Sequence, residues 1–149
     1  MTFAANKDLL DYQADIFEHG VDDWTTELAS AEYDVKRRIE TEWWNVERNY
    51  GGRRSYYTTV GGTFDATKLI DTQWTRATVY RALSAYILPK LSTWRPEGDS
   101  FRELISHYQT RYSEEFTAEL AKGVQYDSND DGTITDSEKT QTQQNRLFI

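Results

Sequence analysis

Apolar residues recur every three or four positions along most of the chain, the spacing that lines one face of an α-helix, and four such stretches stand out. Asn6 is placed to cap a short first helix over "KDLLDYQADIF" that ends by Gly20, with Leu9, Leu10 and Phe17 on its apolar side. The clearest pattern follows. Asp22 or Asp23 caps "WTTELASAEYDVKRRIETEWWNVERN", where Trp24, Leu28, Ala31, Val35, Ile39, Trp43 and Val46 form a continuous stripe. So long a stripe must pack on something, while Lys36, Arg37, Glu40 and Glu47 on the facing side read as a solvated surface. A third helix is predicted from about Ala66 to Leu91, with Leu69, Ile70, Trp74, Ala77, Tyr80, Leu83 and Ile87 on one face and Pro89 kinking or ending it. The fourth starts near Ser100, buries Phe101, Leu104, Ile105, Tyr108, Tyr112, Phe116 and Leu120, and stops at Gly123.

Between the second and third helices the text changes to "NYGGRRSYYTTVGGTFD", in which two Gly-Gly pairs bracket a β-prone run. This reads as a long loop, or a short strand or hairpin, of the kind that serves as a contact element. "STWRPEGDS" is a connector, and "KTQTQQNRLF" is a polar tail that closes on Leu147, Phe148 and Ile149, an apolar end that calls for a partner. The expected fold is all-α. It is a small bundle of about four helices (1–126), followed by an EF-hand-like loop (127–138) and an extended C-terminal tail (139–149).

The 149 residues suit one domain. With no cysteine, disulfides, thiolate catalysis and cysteine-based zinc sites are excluded. The start "MTFAANKDLLDYQADIF" lacks the layout of a secretory signal and no apolar run approaches membrane-spanning length, so synthesis and retention in a cytoplasm are expected. The net charge of -8 disfavours simple capture of nucleic acid by displacement of counterions. The imbalance sits at the ends, with 12 acids against 7 bases in residues 1–60, 8 against 8 in 61–126, and 5 against 2 in 127–149. The 5 Trp and 10 Tyr would anchor either a core or an interface, and their helical spacing favours the core.

Candidate chemistry is concentrated in "YDSNDDGTITDSEK". Counted from Asp127, the twelve-residue calcium-loop template has Asp127 first, Asn129 third, Asp131 fifth, Gly132 sixth, Thr133 seventh through its carbonyl, Thr135 ninth and Glu138 twelfth. Calcium prefers several oxygen ligands, Gly132 permits the sharp turn, and Glu138 can bind through both oxygens. The bland alternative is an acidic surface loop rich in Asx turns. A sensor also needs two flanking helices that change angle. Here Gly123 interrupts the entering helix, the exit segment has no apolar residue before Leu147, and there is no second loop, so a structural clip is expected. Elsewhere, His19 and His107 fit no metal or nucleophile pattern, and Asp22 with Asp23 and Glu114 with Glu115 read as cap and surface charge. Arg53 and Arg54 beside Tyr56 and Tyr57 lack the extended basic stripe of a nucleic-acid reader. No catalytic residue is nominated, and the chain is read as a non-enzyme.

The run "RATVYRALSAYILPKLSTWRPEGDSFRELISHYQTRYSEEFTAELAKGVQYDSNDDG" resembles the head–tail adaptor (connector or neck) proteins of tailed bacteriophages. The similar features are a helix with "RALSAYILPKL", a break, a "FRELISHYQTRYSEEF" helix, and "GVQYDSNDDG" directly after it. The C-terminal half carries this resemblance, and the N-terminal half is similar in style only. It implies a structural virion protein at the head–tail junction, made in the host cytoplasm and assembled as a homo-oligomeric ring, usually of twelve copies. The ring would sit between the portal protein and a downstream neck or tail protein, and DNA would pass through it without sequence-specific binding. Carried onto this sequence, Leu147, Phe148 and Ile149 become the portal anchor, and Tyr56 and Tyr57 a neighbour or tail contact. The calcium loop is not a general feature of that family. The alternative is a calcium-dependent interaction module with no virion role.

Overall fold

The computed structural model describes residues 2–44, 64–92, 100–127, 132–133 and 139–140. It is a small all-α fold, as expected. In chain order it contains α1 (Asn6–Leu10), α2 (Thr25–Ile39) continuing into a π-turn (Glu40–Trp44), a 3-10 turn (Ala66–Lys68), α3 (Asp71–Ala82) continuing through a π-turn (Leu83–Ile87) into α4 (Leu88–Leu91), and α5 (Ser100–Lys122). Two short strands, β1 (Val124–Gln125) and β2 (Lys139–Thr140), pair antiparallel with Val124 opposite Thr140 and Gln125 opposite Lys139.

Helix α3 lies between α2 and α5 and packs on both, which explains its composition. Trp74, Ala77, Thr78, Val79, Tyr80 and Ala82 are all buried, so side chains around much of its circumference pack inward, although the helix also carries Asp71, Arg76 and Arg81. Its buried hydroxyl is satisfied locally, with Thr78 Oγ1 donating to the Trp74 carbonyl at 2.8 Å. Both neighbours run antiparallel to it. Arg81 Nε meets Asp34 of α2 at 3.0 Å, and the Trp74 and Phe116 ring centroids lie 5.3 Å apart against α5. The predicted stripe of α2 is the observed core face, since Trp24, Leu28, Ala31, Val35, Ile39 and Trp43 are buried. Val46 and Glu47 lie outside the described residues.

Three boundaries differ from the sequence-based expectation. The first helix ends at Leu10, and Leu10 itself is exposed. Residues 11–19 form successive turns that let Tyr12 and Ile16 pack inward. Asn6 does not cap this helix. Its side chain crosses to the start of α2, accepting from Trp24 N–H at 3.0 Å and donating to Asp23 at 2.8 Å. The Asp23 carboxylate in turn accepts from Thr25 N–H at 3.0 Å. The third helix begins at Asp71 rather than Ala66, because Leu69 and Ile70 are extended. Pro89 falls in the last turn, which runs on to Leu91, and the π-turn just before it lets Leu88 N–H reach the Leu83 carbonyl. Widening the turn accommodates a residue that has no N–H to give. The fourth helix matches its expected bounds.

The π-turn after α2 turns both Trp43 and its neighbour Trp44 into the core, whereas only Trp43 belongs to the stripe. Their rings meet Tyr126 at 5.5 and 5.4 Å between centroids, and Phe64 meets Trp44 at 5.7 Å and stacks on Tyr126 at 6.2 Å. This aromatic knot joins the end of α2, the entry to the 3-10 turn and the residue that leads into the acidic loop. Each such pair contributes about 0.5–1.5 kcal/mol beyond the area it buries.

Candidate functional site: the acidic loop and its base

Helix α5 ends at Gly123, whose φ of 103° is a left-handed conformation that glycine adopts without strain. The chain then leaves in an extended conformation as β1. Gln73 of α3 fastens this exit from both sides. Its Nε2 donates to the Gly123 carbonyl at 2.9 Å, and its Oε1 accepts from Gln125 N–H at 3.0 Å. Tyr126 forms an isolated antiparallel bridge with Leu69 and accepts at its hydroxyl from Asp65 N–H at 3.2 Å. Asp127 N–H donates to the Lys68 carbonyl at 2.9 Å. The first loop residue is therefore held by backbone from the 3-10 turn and by an aromatic ring behind it.

Asp127 is 9% exposed and its Oδ2 accepts from Gly132 N–H at 2.9 Å. This bond closes the first half of the loop on itself. Gly132 sits at φ +79°, and a Cβ built there would meet nothing within 4 Å, so the need for glycine is conformational and not one of space. In the calcium template the first residue is an aspartate that supplies a carboxylate oxygen to the cation, and Asp127 stands at that position. Beyond the loop, β2 returns to pair with β1. The loop thus spans an antiparallel strand pair, where a sensor would have two helices.

Of the six candidate ligands, the described residues hold Asp127 and Thr133, the latter exposed on the turn after Gly132. Asn129, Asp131, Thr135 and Glu138 lie outside the described residues, as do Tyr56, Tyr57, Leu147, Phe148 and Ile149. Among the described residues no group of three or more His, Asp or Glu side chains is placed to hold a metal ion. The donor set that the sequence supplies around Asp127 is all oxygen and fits a hard cation.

The 3-10 turn that receives the loop is capped in its own right. Asp65 accepts from Thr67 N–H at 3.0 Å and from the Thr67 hydroxyl, and these bonds hold its carboxyl below the usual 3.8. Sequence reading missed the partners of the loop base. Gln73 and Phe64 are single polar or aromatic residues in unrelated segments, and no periodicity marks them. The remaining candidates behave as surface: His107, Glu114, Asp22 and Asp23 are exposed. No helix among the described residues is long and apolar enough to cross a membrane. No protein-family model, curated protein or solved structure matches the chain.

Proposed function

We propose that this chain is a structural adaptor of tailed bacteriophages, a ring subunit between the portal and the next neck or tail protein, with a cation-held loop that serves as a fastening. The resemblance carried by residues 76–132 and the small all-α fold support the adaptor reading. The observation that carries the fastening is the grip of Asp127 on Gly132 N–H inside a loop whose ends are paired strands. Paired strands frame the loop among the described residues, so bound calcium would hold the strand pair closed and set the direction of the tail. Asp127, Asn129, Asp131, Thr133, Thr135 and Glu138 would supply the oxygens. Leu147, Phe148 and Ile149 would then be the anchor on the portal, and Tyr56 and Tyr57 a contact with a neighbour or with the tail.

The second reading, a calcium-dependent interaction module without a virion role, is favoured by the loop alone. Copy number separates the two. Particles purified from the source culture and analysed by quantitative mass spectrometry should contain this chain at close to one copy per portal subunit. Absence from particles would leave the interaction module as the surviving reading.

A further inference from the structure

A second feature lies away from the acidic loop. Helices α2, α3 and α5 and the π-turn after α2 border an open cleft of about 410 Å³ lined by Arg37, Arg38, Arg81, Tyr112, Asp34 and Glu42. Three guanidinium groups thus converge in a chain whose net charge is -8. Two of them are held in place. Arg38 lies 4.1 Å from the Phe116 ring centroid and 5.2 Å from that of Tyr112 and is ion-paired with Glu42, while Arg81 lies 5.7 Å from Tyr112 and is ion-paired with Asp34, so the cleft's net positive charge is that of Arg37. Cations ordered in advance by rings and carboxylates lose little freedom when an anion arrives. Arg37 is exposed, and no ion pair engages it among the described residues.

Resting on the ring reading above, we infer that this cleft is one half of a head-to-tail contact between copies of the chain, and that its occupant is the acidic segment 8–23 of the neighbouring copy. That segment carries six carboxylates and no lysine or arginine, and Asp11, Glu18 and Asp22 are exposed. Within one copy the end of this segment lies far from the cleft. Asp22 and Asp23 precede α2, and at 1.5 Å per helical residue they stand about 20 Å from Arg37 and Arg38. The His19 ring packs edge-on against Phe101 with centroids 5.2 Å apart, about 16 Å along α5 from Tyr112. The start of the segment is held nearer, since the Tyr108 hydroxyl, about 6 Å along α5 from Tyr112, donates to the Tyr12 carbonyl at 3.0 Å. A copy therefore does not reach its own cleft with Glu18, Asp22 or Asp23. Two different patches with opposite charge make a heterologous contact, the type that closes into rings.

The absence of cysteine permits a direct test. Glu18→Cys and Thr41→Cys place one thiol in the acidic segment and one beside the cleft, and a short bis-maleimide is applied at low salt to the purified chain and to particles. The double variant should give a ladder of dimers, trimers and larger species, while each single variant should give none above background. Adding Arg37→Glu, which breaks no ion pair seen among the described residues, should reduce the ladder about tenfold, as should high salt. No ladder in either preparation, or a ladder from a single-cysteine chain, would overturn the inference. A ladder from a chain that does not sediment with particles keeps this contact and removes the virion role. A chain that sediments with particles but gives no ladder keeps the virion role and removes the contact.

Discussion

Asp127 does two jobs at once, anchoring its backbone on Lys68 and closing the loop through Gly132. Its immediate neighbour Tyr126 touches both Trp43 and Trp44, so events at the loop are within reach of two tryptophan reporters. Titration with calcium is expected to change tryptophan emission saturably, and Asp127→Ala with Glu138→Ala to abolish that response while helix content by circular dichroism stays nearly unchanged. A broad loss of helix in the double variant would mean that the loop belongs to the core. Emission that never responds to calcium in the parent chain would remove the cation from the proposal.

At the scale of elements, the junction between α5 and β1 depends on a side chain from α3. Replacing Gln73 with alanine leaves Gln125 N–H and the Gly123 carbonyl without their partner in a half-buried setting. The expected cost is about 1–3 kcal/mol of unfolding free energy, read as a lower midpoint in urea with an unchanged slope. A cost below about 0.5 kcal/mol would show that water replaces the amide at no penalty. The π-turns act at the same scale. The one after α2 delivers Trp44 to the aromatic knot, and the one before Pro89 lets the helix run on to Leu91.

For the whole molecule, the shifted groups define a pH window. Asp15, Asp23 and Asp65 are held below their usual 3.8, chiefly by hydrogen bonds from Gln13, Asn6 and Thr67 respectively. A depressed carboxyl contributes stability that is present above its unfolded value and is lost as pH falls through the folded one. Tyr86 is pushed above its usual 10.0, first by its hydrogen bond to Asp34, and Tyr108 is pushed the same way by burial. A raised phenol contributes stability below its unfolded value that is lost as pH rises through the folded one. The thermal midpoint should therefore form a plateau between about pH 5 and 9 and fall on both sides. All three carboxylates are solvent-facing, so the acid limb should be shallow, and a steep cooperative loss near neutral pH would contradict this account.

The helical class, the core face of α2 and the bounds of α5 were legible in the sequence, because periodicity of 3.6 is a local property and burial follows it. So was the loop template, whose ligand types and glycine lie within twelve consecutive residues. The end of the first helix, the break at Leu69 and the burial of Trp44 were not. Each is decided by what a distant segment offers: a surface on α3 and α5 for Tyr12, a bridge partner for Leu69 in Tyr126, and a ring for Trp44 in Phe64. By itself the sequence determined which residues are apolar, how often they recur and which of them fit the positions of the loop template. Only the tertiary structure decided that Gln73 fastens the loop base, that strands rather than helices frame the loop, and that three arginines share one cleft. Those contacts join residues about fifty positions or more apart in several cases, and no local pattern encodes a pairing that packing alone selects.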